Sequence, residues 1–200
     1  MGGARVFPGG AVDTIDSGPQ AAAAVRWSGD RAELPWRAAA LRELAEEVGI
    51  VLGEGIADVT GRSGADIYAA APDGSLDADR LQYWSNWVTP RGLPKRFDTR
   101  FYVVEVGTEV VARSDRLEVY DPVWVTPRSA LAAADAGSWI VEAPTRAHLE
   151  MLGQAIDLDG ALRAAALAIP VRIEPRLVVD DTGSWSVLMP GDPGFDEAGS

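Results

Sequence analysis

The chain has 200 residues, 47% of them hydrophobic and 24% charged, an ordinary composition for a globular protein that buries a core. Its net charge of −12 opposes nonspecific nucleic-acid binding, in which Lys and Arg must displace counterions from phosphates. The absence of cysteine excludes disulfides and thiolate metal sites, and a single histidine, His148, leaves little room for a His-rich metal site. No apolar run approaches the roughly 18 residues of a bilayer span, and the N-terminus lacks the basic and apolar regions of a signal peptide, so a cytoplasmic protein with no membrane partner is the expectation.

Residues 1–20 read as a short extended piece (ARVF), a turn (PGG) and a polar loop carrying Asp13 and Asp16. AAAAVRWSGDRAEL is compatible with a helical turn or a surface insertion. LPWRAAALRELAEEVGI is the strongest helix signal: Pro35 sits where a first-turn proline is tolerated, and Ala, Leu, Arg and Glu all favour helix. Leu41, Leu44 and Val48 recur at helical spacing and predict a buried stripe, and Gly49 ends the helix. Residues 51–75 read as irregular with one short helix, and LDADRLQYW predicts another, capped by Asp77. The second half of NWVTPRGLPKRFDTRFYVVEV predicts a strand, and LEVYDPVWVTP a loop followed by a strand. SALAAADAG and APTRAHLEMLGQAI predict helices, the latter starting after Pro144, while DGALRAAALA either extends it or stands alone. VRIEPRLVVDDTGSWSVLMPGDPGF suggests two short strands around a DDTG turn, and DEAGS is expected to be disordered. Trp84 and Trp87 read as core residues, with stacking on a base as the alternative, and His148 reads as a surface residue.

The segment RELAEEVGI (42–50) carries the chemistry. On a helix, Glu43, Glu46 and Glu47 lie at i, i+3 and i+4 and share one face, where like charges repel by a few tenths of a kcal/mol per pair. They also sit late in the helix, where the macrodipole disfavours negative charge. A hard divalent cation such as Mg²⁺ or Mn²⁺ reverses both penalties by taking oxygen ligands from the clustered carboxylates. An ordinary solvated acidic face is the competing reading.

RELAEEVGI resembles the core of the Nudix box, G-x5-E-x7-R-E-U-x-E-E-x-G-U with U aliphatic: Arg42, Glu43, Leu44, Glu46, Glu47, Gly49 and Ile50 all match. FPGG (7–10) resembles the strand end that opens the box, and six residues beyond Gly10 stands Asp16, an acid where the family usually has Glu. The ordinary spacing from Asp16 would put the arginine at 24 instead of 42, an insertion of about 18 residues. One branch carries an insertion there, that of the peroxisomal coenzyme A diphosphatases and their bacterial relatives. FPGGAVDTID, WVTPRGLPKRFDTRFYV and VWVTPRSAL resemble that branch.

The resemblance implies an α+β protein with a Nudix-type α/β/α sandwich and a mixed central sheet, lacking its N-terminal strand or strands. The Nudix domain would cover 1–157, with an insertion at about 17–35, followed by a C-terminal helix and short strands over 158–200 with a disordered tail. It implies metal-dependent hydrolysis of the diphosphate bond of a nucleotide conjugate, with coenzyme A or acyl-coenzyme A as the branch-level substrate and Mg²⁺ or Mn²⁺ as cofactor. Glu43 and Glu47 would be the main metal ligands, Glu46 a further or water-mediated one, and a carbonyl of Gly9 or Gly10 would complete the shell. Arg42 would hold the glutamates by a salt bridge, and Glu118 is the candidate base from a distant loop. Asp16 is expected to be structural. Arg91, Lys95 and Arg96, a basic cluster in an acidic chain, are candidates for substrate phosphates. The rival reading is a non-catalytic nucleotide-sensing module, or a truncated and inactive product; oligomeric state is left open.

Overall fold

The computed structural model describes residues 3–56, 59, 61–113, 122–179 and 181–198. The chain divides into two compact units, Met1–Leu81 with Val104–Leu162, and Gln82–Val103 with Arg163–Ser200.

The first unit is organised around α2 (Leu34–Val48). A 3₁₀ turn (Arg31–Glu33), capped by the Asp30 side chain, leads into it, and Pro35 occupies the first turn, where a missing N–H costs nothing. Gly49 closes the helix in the left-handed conformation, φ 67°, which any Cβ would strain. Leu41 and Val48 are buried as expected, but Leu44 is only half-buried. Ala38, Ala39 and Ala45 take much of the packing, since short side chains let neighbouring elements come close. Arg42, Glu43 and Glu47 are buried too, so α2 is covered on a polar face as well as an apolar one.

Four further helices of this unit are α1 (Pro19–Ala24), α3 (Ala65–Ala70), α4 (Pro127–Asp135) and α5 (Ala143–Gly153). The ambiguous alanine run thus resolves as helix α1, with Ala21 and Ala24 buried. Ala45 of α2 and Ile67 of α3 pack with Val59 in one apolar cluster, so α3 is seated against the helix that carries the acidic motif. Strands here are two residues long: β1 (Ala4–Arg5) pairs in parallel with β6 (Ile140–Val141), and β2 (Val25–Arg26) with β3 (Leu76–Asp77). Arg37 of α2 stacks on Trp27, 3.6 Å from guanidinium to ring centre, and donates to the carbonyls of Ala78 and Leu81.

The predicted helix over LDADRLQYW shrinks to a 3₁₀ turn, Ala78–Arg80, capped by Asp77 as expected. Its second half is strand instead, because Tyr83, Trp84 and Val88 fit a pleated surface and have a partner strand. The strand expected at residues 123–125 is absent: Val123, Trp124 and Val125 are exposed and pair with no strand among the described residues. Thr126 instead caps α4 through its hydroxyl.

In the second unit, β4 (Gln82–Val88) pairs antiparallel with β5 (Asp98–Val103) and parallel with β7 (Val171–Ile173), a mixed three-stranded sheet. Trp84 and Trp87 are buried on β4, consistent with the core reading. β8 (Arg176–Val179) and β9 (Trp185–Leu188) form the expected hairpin. Arg176 donates to the carbonyls of Asp196 and Ala198 at 3.2 and 2.6 Å, anchoring the last described turn. Helix α6 (Leu158–Leu167) is separate from α5. The protein is α+β with mixed sheets. Among the described residues the strands form four small sheets instead of one central sheet, since most are two to four residues long and offer only short ladders.

Candidate active site

Arg42 is the hub of the polar face of α2. Its Nε donates to Asp16 Oδ1 at 2.8 Å and its Nη2 to Asp16 Oδ2 at 3.0 Å, a bidentate fork. Nη2 also donates to the Ala11 carbonyl at 3.0 Å, and Nη1 reaches Glu43 Oε1 at 2.8 Å and Glu46 Oε2 at 3.0 Å. The five N–H donors of a guanidinium therefore all find acceptors. Burial opposes its charge, but the bonds to Asp16 and Glu43 outweigh that and raise its pKa, so Arg42 stays a cation.

Asp16 is fully buried and equally saturated. Besides Arg42 it accepts the Tyr68 hydroxyl at 2.6 Å on Oδ1 and the Asp13 amide at 2.7 Å on Oδ2. The Asp13 bond is half of a capping box that winds the 3₁₀ turn Thr14–Ser17 and thereby aims Asp16 inward. Burial first, and then the bond to Asp16, push the Tyr68 phenol well above its usual pKa, so it remains a donor.

The three glutamates differ in their surroundings. Glu43 and Glu47, one turn apart, both lie against the PGG turn and are buried. Glu47 Oε2 accepts the Gly9 amide at 2.8 Å. A Cβ on Gly10 would fall 2.3 Å from Glu43 Oε1 and 2.6 Å from Oε2, so only glycine leaves room for that carboxylate. Glu46 is engaged at both oxygens, by Arg42 on Oε2 and by the Gly64 amide on Oε1.

Among the described residues no group of three or more acidic or imidazole side chains is arranged to hold a metal ion. Glu43 and Glu47 present two carboxylates beside exposed backbone. Mg²⁺ is commonly held by one or two carboxylates with waters and substrate phosphates filling the remaining positions, so this donor set fits a hard divalent ion. An imidazole or thiolate-loving metal would find no ligands here.

Of the other residues singled out by sequence, Glu118 lies outside the described residues. Arg91, Lys95 and Arg96 are exposed members of the second unit. Arg96 donates to Glu174 at 2.6 Å, Arg91 stands 3.6 Å from the same carboxylate, and Lys95 lies over the Phe97 ring. His148 is not a surface residue. It is 2% exposed, its Nδ1–H donates to the Pro144 carbonyl at 2.6 Å, and its ring meets the edge of Phe7. Burial lowers the histidine's pKa, only partly offset by that carbonyl. Tyr68 and Gly64 were missed by the sequence reading, since nothing in a Gly- and Asp-rich stretch marks a partner 52 residues from Asp16.

No family model matches the chain. A curated Caenorhabditis elegans protein named "Putative nudix hydrolase 7" is 29% identical over 187 residues, covering 88% of this chain and 59% of that protein. The chain thus spans about three-fifths of the length of this curated relative. The crystal structure of a NUDIX hydrolase from Alicyclobacillus acidocaldarius matches with a TM-score of 0.59 at 25% identity, over 83% of this chain and 82% of that one. Among the described residues no helix is long and apolar enough to cross a membrane.

Proposed function

The chain belongs to the Nudix hydrolase superfamily, and from that premise we propose that it hydrolyses the diphosphate bond of a nucleotide conjugate with Mg²⁺ or Mn²⁺. One observation carries the reading: two buried carboxylates, Glu43 and Glu47, are lodged against a glycine turn that has no room for a side chain beside Glu43. Burying like charges close together is costly, and Arg42, which bonds Glu43, already serves Asp16 and Glu46 as well.

Glu43 and Glu47 are the proposed metal ligands, with a carbonyl of Gly9 or Gly10 as a further oxygen donor. Glu46, occupied at both oxygens, takes the water-mediated or supporting role. When bound, the ion supplies positive charge against the phosphoryl oxygens as the bond to the leaving group breaks. Arg42 orients Glu43 and Glu46 without touching substrate. A water attacks one phosphorus, its proton goes to a carboxylate, and the bridging oxygen leaves with the other phosphate. Glu118 is the proposed base, and a helix glutamate is its alternative. Arg91, Lys95 and Arg96 are proposed contacts to substrate phosphates. Coenzyme A or an acyl derivative is the proposed substrate, supported by FPGGAVDTID, WVTPRGLPKRFDTRFYV and VWVTPRSAL.

The test is incubation with a panel of nucleotide conjugates and Mn²⁺, scored by mass spectrometry. Coenzyme A is expected to yield 4′-phosphopantetheine and an adenosine bisphosphate. Glu47→Gln should lose about 10²-fold or more, because a direct ligand matters at least as much as the outer-shell partners whose loss costs about 10–100-fold. Absence of product from every conjugate, with Glu47→Gln indistinguishable from wild type, would sink the reading.

A further inference from the structure

We propose that Tyr68, outside the acidic motif and 52 residues from Asp16, is a positioning residue that sets the metal-binding carboxylates through Asp16 and Arg42. The inference rests on the metal-site reading above. Four observations meet at this phenol. Tyr68 is 2% exposed, and its hydroxyl donates to an aspartate that is itself fully buried. That aspartate has four acceptor positions and four donors: two from Arg42, one from Asp13 and one from Tyr68. Arg42 spends all five of its donors in the same network, and one of them fixes Glu43 Oε1. The stretch carrying Tyr68 grips the network twice, since the Gly64 amide at the head of α3 holds Glu46 Oε1.

The consequence follows from saturation. In a buried site an unmet acceptor draws on whatever donor remains nearby. Without the phenol, Asp16 Oδ1 keeps only Arg42 Nε, and the carboxylate settles toward the donors that remain, the Arg42 fork and the Asp13 amide. The guanidinium shifts with it, and Nη1 moves relative to Glu43 because the fork is planar and rigid. Burial keeps the phenol protonated, so it donates throughout the working pH range. Its place is set by the apolar side of α3, where Ile67 packs with Ala45 and Val59.

Tyr68→Phe keeps the ring and its packing and removes one hydroxyl. Mn²⁺ binding to the full chain, without substrate, is read by the paramagnetic resonance signal of the free ion. Tyr68→Phe is expected to weaken Mn²⁺ binding on the order of 10-fold, the effect of losing an outer-shell partner. Excess Mn²⁺ should restore kcat, and KM for the nucleotide conjugate should stay at its wild-type value. Ile67→Val, which loosens α3 packing without touching the hydroxyl, should lower Tm yet keep wild-type Mn²⁺ affinity. Wild-type Mn²⁺ affinity in Tyr68→Phe, or equal weakening in Ile67→Val, would overturn the positioning role. Glu43→Gln separates the two levels. If it loses Mn²⁺ while Tyr68→Phe does not, only the role of Tyr68 falls. If Glu43→Gln binds Mn²⁺ as tightly as wild type, the metal-site reading falls and takes this inference with it.

Discussion

Two clusters of charge in this molecule have opposite proportions. In the first unit one buried arginine, Arg42, gathers three carboxylates, Asp16, Glu43 and Glu46, at 2.8–3.0 Å. In the second unit one glutamate, Glu174, gathers three more exposed arginines, Arg96 at 2.6 Å, Arg172 at 3.4 Å and Arg91 at 3.6 Å. The contact geometry overlaps, but the surroundings do not. Water can solvate any arginine that Glu174 releases, whereas nothing replaces Arg42 for Asp16. Burial, more than the number of contacts, decides which cluster holds the molecule together and which merely decorates it.

The largest effect is expected at Asp16. Asp16→Ala leaves Arg42 buried and short of its main partner, and is expected to cost about 3–5 kcal/mol in urea denaturation. A loss as small as that of a surface substitution would mean the cluster is wetter than its burial says. Gly10→Ala sharpens a different point. The new Cβ would push the Glu43 carboxylate from its place beside Arg42, and that displacement should weaken Mn²⁺ binding about 10-fold.

His148 extends the contrast to pH. Its folded pKa is lowered below the unfolded 6.5, so the stability it contributes is complete above pH 6.5. As pH falls toward the folded value, the unfolded chain takes up the proton first. Stability should decline by up to about 1.4 kcal/mol per pH unit in that window. His148→Gln should flatten that part of the profile in thermal melts. The smallest effect belongs to Glu174→Ala: a shift in Tm several-fold below that of Asp16→Ala, and one that 1 M salt erases by screening the exposed arginines.

Legibility in the sequence followed the range of the forces involved. α2 was readable because its proline, its helix formers and its terminal glycine all act within the segment. The motif RELAEEVGI was readable because helical spacing alone puts its glutamates on one face. The β8–β9 hairpin was readable from a turn flanked by apolar runs. The QYW segment was misread as helix because what makes it strand is β5, which begins at Asp98. Val123–Trp124–Val125 was misread as strand for the converse reason, strand formers without a neighbouring strand. His148 was misplaced because the Phe7 ring it meets comes from the other end of the first unit's chain.

By itself the sequence determined the helix that carries the acid cluster, where that helix stops, and which oxygen-rich chemistry its spacing permits. Only the tertiary structure decided where the three glutamates sit, with Glu43 and Glu47 at the glycine turn and Glu46 tied to the head of α3. It alone brought Tyr68 to Asp16. The physical reason is that local backbone preferences act over a few residues, whereas a hydrogen bond between buried side chains depends on how whole elements pack, and packing is a property no short stretch of chain contains.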